Sequence, residues 1–311
     1  MISATKVAIV SDHFSTVACH MPSKSENLTG MLYMTLSMAS FTLADLALKW
    51  ACELLPTGQV MFILGLGCCA LFWTIVKGKQ EKALTRQFFI PAVLLRTVGE
   101  GVAVVFIFMA LIHSAFTSVS AILQTLPLLL TLISFIFLGE KVGMHRLIAV
   151  VIGFAGVLLV IRPGVDSFDA FSLYAVVAVI GMSMRDVGSR LSPVSMSASM
   201  LALYGAMTFV LIGLVMMWFG GVRMPSLESS GYLVAMILFS SSGSYCTTKA
   251  MRLGEISAIS PLRYTRLLFG LMVGVFILHE EIDAFMLLGS AIVVVAGLYV
   301  LFREQRHRTQ A

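Results

Sequence analysis

Charged side chains are scarce in this sequence of 311 residues. Asp, Glu, Lys and Arg make up 12%, whereas hydrophobic residues make up 59% and the mean hydropathy is +0.96. A soluble protein of this length needs far more charge to cover its surface. The composition therefore excludes a soluble globular protein and indicates a chain that is solvated by lipid.

Motifs that support catalysis are also missing. The sequence has no His-rich motif, nucleophile elbow, paired aspartates for a metal or nucleotide-binding loop. Its five cysteines, among them the adjacent Cys68 and Cys69, lack metal-ligand spacing and suggest no disulfide framework. We therefore expect no enzyme, no metal, no cofactor and no ATP hydrolysis on this chain.

Long apolar runs occupy nearly the whole chain. Runs of about 18 residues can cross a ~30 Å hydrocarbon core, and they must be helical because lipid offers no partner for unpaired backbone groups. They predict an all-α integral membrane protein in which the lipid bilayer is the first partner. The ten predicted transmembrane helices lie at 31–52, 58–77, 88–110, 115–138, 144–162, 170–190, 196–219, 231–251, 256–278 and 284–302.

The Lys and Arg residues predict the orientation of these helices. With the N-terminus inside, only Lys49, Arg162 and Arg223 lie near the external face. Because the basic residues are spread over short loops, the net charge of +5 reflects this topology and does not indicate a nucleic-acid partner. We expect an inner-membrane protein with both termini in the cytoplasm, a disordered tail over 1–30 and a basic tail over 304–311.

An internal repeat divides the chain into two similar units, predicted at 31–164 and 165–303. Because each unit holds five helices, an odd number, the second copy must be inverted relative to the first. Inverted repeats are typical of transporters, with the site near the midplane where the repeats meet. At an offset of 140 or 141 residues, Glu140 recurs as Glu280, Asp45 as Asp186, and Lys49 as Arg190.

Two segments carry a family resemblance. The first runs from Arg96-Thr97-Val98-Gly99-Glu100 to Ile161-Arg162-Pro163-Gly164, and the second from Ser260-Pro261-Leu262-Arg263 to His279-Glu280. Over about residues 31–303 the chain resembles the drug/metabolite transporter superfamily, specifically ten-helix carriers with two EamA-type domains. The resemblance implies a small-molecule substrate, drawn from amino acids, metabolites, vitamins or toxic compounds, and transport in either direction. His279 departs from the family pattern, in which Gly usually precedes the glutamate.

Ionisable residues inside the predicted helices are the candidates for a substrate site. A charge at a helix centre costs about 2.5–3.5 kcal/mol, so it needs a partner or a wet cavity. Arg96 and Glu100 share one face of the third helix, and Arg263 and Arg266 share one face of the ninth. They predict either a central site that binds a carboxylate or phosphate, or a buried ion-pair network that holds the two helices together. Three arginines against one glutamate favour an anionic or zwitterionic substrate.

Three further residues at similar depth are candidates to line the same cavity. Tyr245 and Tyr264 offer rings for stacking, and Gln124 can orient a polar group. Packing or hydrogen bonding between helices explains these residues equally well.

Charged pairs recur at the end of the first helix of each repeat. A carboxylate and a cation four residues apart neutralise each other, which favours a purely structural role for these pairs. The alternative is a gate whose pairs break and form as access alternates between the two faces. The residues are Asp45 with Lys49 in the first repeat, and Arg185 and Asp186 with Arg190 in the second.

Together these features predict a secondary active transporter that moves a small anionic or zwitterionic metabolite across the inner membrane by alternating access. The alternatives are an exporter of drugs or metabolites with broad specificity and, in a different class, a passive channel. Proton coupling, with Glu100 carrying the proton, is a further hypothesis. Gly270 and Gly274 permit close helix approach, which leaves a monomer and a homodimer open.

Overall fold

Eleven α-helices make up most of the described part of the chain. The computed structural model describes residues 24–81, 86–137, 144–161, 170–193, 195–253 and 260–309, and these ranges contain no β-strand. Two short 3-10 helices, Arg86–Phe89 and Ser260–Tyr264, precede α3 and α10. The helices are α1 Lys24–Leu54, α2 Thr57–Gly78, α3 Pro91–His113, α4 Phe116–Leu123, α5 Leu126–Phe137, α6 Met144–Ile161, α7 Ser172–Leu191, α8 Ala198–Gly220, α9 Leu227–Leu253, α10 Thr265–Phe276 and α11 Ala284–Thr309.

These elements correspond to the ten predicted transmembrane helices. The fourth is divided into α4 and α5 just before Pro127, and the ninth begins with the 3-10 turn that contains Pro261. Proline has no N–H to donate and its ring clashes with the preceding turn, so a break or a tighter turn is expected at both places. Equivalent spans of the two repeats are therefore both interrupted.

The two predicted tails differ from the structure at their edges. Helix α1 begins at Lys24, so the last residues of the predicted tail 1–30 are helical, and residues 1–23 lie outside the described residues. Helix α11 continues to Thr309 through most of the predicted basic tail 304–311.

Length and hydropathy mark several of these helices as membrane-spanning. Within the described residues, five segments are long and apolar enough to cross a bilayer. Leu147–Ile161 and Ala284–Val300 are shorter apolar helices. The five spans are Leu28–Leu54, Thr57–Gly78, Pro91–His113, Phe116–Ile133 and Ala198–Gly220.

Helix packing follows the inverted repeat. Helix α1 packs mainly on α9, and its counterpart α7 packs mainly on α3, which is the counterpart of α9. The pairs α2 with α8, α4 with α10, and α6 with α11 each join equivalent helices of the two repeats. Gly58 packs on Met217 while Gly65 packs on Val210, so α2 and α8 run in opposite directions. The fold is thus an all-α membrane fold of ten spans in two inverted five-helix repeats.

Candidate functional site

A cavity of about 550 Å³ lies between the two repeats, lined by residues of α1, α2, α3, α7, α8, α9 and the two broken spans. Its described lining carries four arginines and three carboxylates, so one positive charge is left over. Apolar side chains such as Leu64, Phe72 and Phe108 form much of the remaining wall. The charged lining residues are Asp45, Arg96, Glu100, Arg185, Asp186, Arg263 and Arg266.

Close packing of α3 on α7 brings the first part of this charge network together. A Cβ atom on Gly188 would lie 2.6 Å from the backbone nitrogen of Arg96, and one on Gly181 would lie 2.5 Å from that of Ala103. Only glycine permits so close an approach of two helix backbones. As a result, Glu100 of α3 lies 3.7 Å from Arg185 of α7.

Arg96 is the most buried cation of the cavity. Its Nη2 lies 3.7 Å from Glu100 Oε2, and its Nε donates a hydrogen bond of 3.1 Å to Ser189 Oγ. Its Nη1 is buried and has no hydrogen-bond partner among the described residues. A buried donor without a partner costs about 1–3 kcal/mol, and more when it is charged. Arg96 is therefore suited to donate a hydrogen bond to an oxygen atom of an anionic ligand.

Two aspartates at equivalent positions of the two repeats pair with arginines of the same broken span. Asp45 Oδ2 lies 2.5 Å from Arg266 Nη2, and Asp186 Oδ2 lies 3.7 Å from Arg263 Nη1. Asp186 also accepts a hydrogen bond of 2.9 Å from Nε of its neighbour Arg185. The arginines of the ninth span thus connect the first helices of both repeats.

The predicted pairing within the first helix of the first repeat is corrected by these contacts. Asp45 pairs with Arg266 instead of Lys49, which contacts Glu280. Arg185 and Asp186 line the cavity itself, and the side chain of Arg190 lies outside the described residues. Spacing alone favoured the local pairs, but helix packing offers partners that are far away in the chain.

A separate polar cluster lies at the end of the molecule where α1 ends and α4 begins. The Glu280 carboxylate accepts hydrogen bonds from the backbone N–H groups of Phe116 (2.6 Å) and Thr117 (3.0 Å), and from Thr117 Oγ1 (2.7 Å). Lys49 Nζ lies 4.0 Å from Glu280 Oε1 and donates to the Ser114 carbonyl at 3.3 Å. Helix α4 has no acidic residue in its first turn, so Glu280 compensates the positive end of its dipole. We refer to Lys49, Glu280 and the first turn of α4 as the latch.

The backbone before Glu280 has an unusual conformation. His279 has φ 52, in the left-handed region that favours glycine. This accounts for the glycine that the family pattern has at this position. Glu280 itself connects α4 with Lys49.

The three other predicted lining residues have different surroundings. Gln124 lines the cavity, and its Nε2 donates a hydrogen bond of 3.0 Å to the Arg263 carbonyl. Tyr245 is 51% exposed, 5.8 Å from Lys249 Nζ, and Tyr264 is buried against Gly297. Neither tyrosine is part of the described lining, so the structure gives no support to their predicted role in the cavity.

Sequence reasoning also missed a polar stripe on α9. Ser240, Ser244 and Thr247 line the cavity at helical spacing. Their spacing of three and four residues was a usable signal, but small hydroxyl residues are also common at ordinary helix interfaces. Phe41 of α1 lies nearby, with its ring 5.7 Å from the Arg266 guanidinium.

Known proteins match both halves of this chain. The EamA-like transporter family matches residues 28–162 and again residues 170–303. A solved crystal structure shares the fold, with a TM-score of 0.62 over 91% of this chain and 99% of that one at 17% identity.

Several curated relatives are named as transporters. A pseudopaline exporter of Pseudomonas aeruginosa is 25% identical over 86% of this chain and 94% of its own length. A riboflavin transporter of Brucella anthropi is 25% identical over 87% of this chain and 98% of its own length. An S-adenosylmethionine uptake transporter of Rickettsia felis is 25% identical over 61% of this chain and 64% of its own length. Because the family covers both repeats, this chain belongs to the EamA-like transporter family and is a membrane transporter, not an enzyme.

Proposed function

We propose that this protein is a secondary active transporter of a small anionic or zwitterionic metabolite in the inner membrane, with both termini in the cytoplasm. The observation that carries the proposal is Arg96, a buried cavity cation whose Nη1 has no hydrogen-bond partner among the described residues. A carboxylate or phosphate oxygen of the substrate would occupy this position through a charge-assisted hydrogen bond.

The charge balance of the cavity supports the same class of substrate. Four arginines face three carboxylates in the described lining, so a bound monoanion would make the lining neutral. A zwitterion would bind to both the arginines and the carboxylates, with its anionic group at Arg96 and its cationic group near Asp45 or Asp186. The apolar wall around Phe72 and Phe108 would accommodate the uncharged part of the molecule.

Alternating access is supported by a difference between the two ends of the helix bundle: the cavity extends towards one end, and ion-pair and hydrogen-bond contacts close the other. The cavity lining reaches Ser189 and Ala198, where α7 ends and α8 begins, which is the cytoplasmic end in the proposed orientation. At the opposite end the latch connects Lys49 and Glu280 with α4. We infer that the latch is a gate that must break before the cavity opens to the external face.

Counterflow in proteoliposomes tests the carrier against a channel. A thermal-shift screen against amino acids, organic acids and phosphorylated metabolites first identifies a ligand. We expect saturable uptake of that labelled ligand, accelerated when the vesicles are preloaded with unlabelled ligand. Flux that neither saturates nor responds to preloading would favour a channel and contradict the proposal.

Arg96→Ala tests the site itself, with Arg223→Ala as a matched control because Arg223 is exposed and outside the cavity. We expect Arg96→Ala to abolish most of the counterflow and Arg223→Ala to retain it. Equal activity of the two variants would exclude Arg96 as a substrate residue.

The proposal includes proton coupling by Glu100, which a separate experiment tests. Glu100 lies 3.7 Å from both Arg96 and Arg185, so a change in its charge would alter the pairing of two cavity cations. An imposed pH gradient should drive accumulation by the wild type and not by Glu100→Gln. Accumulation that ignores the gradient in the wild type would exclude proton coupling.

A further inference from the structure

The carboxylates of the cavity differ in how many of their oxygen atoms face an arginine. In Glu100, Oε2 lies 3.7 Å from Arg96 and Oε1 lies 3.7 Å from Arg185. In Asp186, Oδ1 accepts a hydrogen bond of 2.9 Å from Arg185, and Oδ2 lies 3.7 Å from Arg263. Both oxygens of each of these two carboxylates therefore already face a cation.

Asp45 is different, because only one of its carboxylate oxygens is engaged. Its Oδ2 lies 2.5 Å from Arg266 Nη2, and no hydrogen bond or ion pair among the described residues engages Oδ1. Asp45 lines the cavity, where Arg96 Nη1 is likewise without a partner among the described residues. The described lining thus offers a donor of a cation and an acceptor of a carboxylate that are both unsatisfied.

An aromatic ring lies beside Asp45. Phe41 is one turn before Asp45 on α1, and its ring centre lies 5.7 Å from the Arg266 guanidinium, a distance at which an aromatic face attracts a cation. A Cβ on Gly243 of α9 would lie 3.1 Å from this ring, so the ring packs against the α9 backbone. The ring can therefore stabilise positive charge between α1 and α9.

Helix α9 adds hydroxyl groups to the same part of the cavity. The Ser37 hydroxyl of α1 donates a hydrogen bond of 2.7 Å to the Gly243 carbonyl, which fixes the register of the two helices. Ser240 and Ser244, one turn apart on either side of Gly243, both line the cavity. An ammonium group has three N–H donors, which carboxylate and hydroxyl oxygens can accept. We refer to four residues as the cation subsite: Asp45, Phe41, Ser240 and Ser244.

We propose that the substrate is a zwitterion whose ammonium or other organic cationic group binds at the cation subsite. Its anionic group binds Arg96, so this inference rests on the proposed function. A zwitterion leaves the net charge of the cavity unchanged, and charge balance therefore allows it as well as a monoanion. The unsatisfied atoms distinguish the two classes, because a monoanion at Arg96 would leave Oδ1 of Asp45 without a partner.

The other two carboxylates are less suited to the cationic group. A cation at Asp186 would lie next to both Arg185 and Arg263, and one at Glu100 would lie next to Arg185 and Arg96. Like charges placed side by side are unfavourable. At the cation subsite a single arginine is present, and it contacts the opposite carboxylate oxygen.

Straight-chain ω-amino acids test the proposal on the purified full chain. Glycine, β-alanine and the longer members of the series place an ammonium group at increasing distance from a carboxylate, and the monocarboxylates of the same lengths are matched controls. Thermal-shift titration in detergent measures the affinity for each compound. We expect the best-fitting ω-amino acid to bind at least about tenfold more tightly than its monocarboxylate. Equal affinities at every length would overturn the proposal.

Variants assign this preference to the cation subsite. Asp45→Asn/Arg266→Gln removes the carboxylate without leaving an unpaired arginine, and it should lose most of the preference while still binding the monocarboxylate. Ser240→Ala/Ser244→Ala leaves the ion pair in place and should lose part of the preference. Ser242→Ala is the control, because Ser242 is exposed and outside the described cavity lining, and it should keep the full preference.

A preference retained in Asp45→Asn/Arg266→Gln would contradict the proposal. If that variant does not fold, the serine double variant decides in the same way.

Arg96→Ala separates this inference from the proposed function. Monocarboxylates that bind the wild type but not Arg96→Ala, with no gain from the ammonium group, would overturn the zwitterion inference alone. Monocarboxylate binding that is unchanged in Arg96→Ala would contradict the proposed function and the inference that rests on it. Absence of binding by both series would contradict both.

Discussion

Arg266 and Asp45 form the shortest ion pair among the described cavity residues, with 2.5 Å between Nη2 and Oδ2, although 221 positions separate them in the sequence. Both side chains are largely buried, at 12% and 15% exposure. The pair connects the first helix of the first repeat with the ninth span. Breaking it would therefore leave one unpaired charge in a poorly solvated position.

We predict that Arg266→Ala lowers the free energy of unfolding by about 3–5 kcal/mol, because the Asp45 carboxylate loses its partner. The double variant Asp45→Asn/Arg266→Gln removes both charges and should recover much of this loss. Denaturant unfolding of the purified variants measures both changes. Equal destabilisation of the single and double variants would mean that the pair is not energetically coupled.

The close approach of α3 and α7 gives a second prediction. Gly188→Ala would force the backbone of α7 away from Arg96 and should cost about 1–3 kcal/mol of stability. Because Arg96, Glu100 and Arg185 depend on this approach, counterflow should fall along with stability.

Gly231→Ala is the matched control, because a Cβ at that position would meet no atom within 4 Å. It should leave both stability and counterflow close to the wild type. Normal counterflow in Gly188→Ala would show that the site tolerates a wider helix separation.

The latch gives a third prediction, about accessibility. Glu280→Gln replaces the carboxylate that accepts from the first turn of α4 and faces Lys49. Hydrogen bonds to charged groups contribute about 1.5–3 kcal/mol, so the external gate should open more often in this variant. Leu48 lines the cavity next to Lys49 and is a suitable reporter position.

In a background without native cysteines, Leu48→Cys should react faster with an impermeant thiol reagent, added from outside the cell, when Glu280→Gln is present. Glu281→Gln is the control, because Glu281 is exposed and next in sequence. Equal labelling rates in all three backgrounds would remove the latch from the gating mechanism.

His279 gives a fourth prediction, in the stabilising direction. A left-handed conformation costs a residue with a side chain about 1–2 kcal/mol, and glycine avoids this cost. His279→Gly should therefore raise the free energy of unfolding by about 1 kcal/mol. Glu281→Gly, at a position without positive φ, should lower it, and a loss of stability in His279→Gly would contradict the backbone argument.

Most of the fold could be predicted from the sequence, because lipid imposes simple rules. Apolar length determines a span, and the repeat of Asp45 as Asp186 within two units of five spans requires inversion. The breaks in the fourth and ninth spans lie beside Pro127 and Pro261, as the chemistry of proline leads one to expect. Which helices pack against each other was harder to predict, since hydropathy does not determine which faces of α1 and α9 meet.

The sequence predicted how deep in the membrane the candidate site residues lie, but not which way their side chains point around the helix. Tyr245 and Ser244 have nearly the same depth, yet a step of one residue turns a side chain about 100° around the helix, so Ser244 lines the cavity and Tyr245 does not. The pairing of Asp45 with Arg266 could not be predicted either, because no local sequence pattern connects residues so far apart. Lys49, one helical turn away, was the local partner that the sequence offered.

The central claim is that Arg96 holds the anionic group of the substrate. Equilibrium binding of a carboxylate ligand and its uncharged carboxamide analogue to the wild type and to Arg96→Ala tests it most directly. A charge-assisted hydrogen bond of about 1.5–3 kcal/mol predicts that the wild type prefers the carboxylate by roughly 10- to 150-fold. We predict that Arg96→Ala loses this preference while its affinity for the carboxamide stays nearly constant. An unchanged preference in Arg96→Ala would contradict the account.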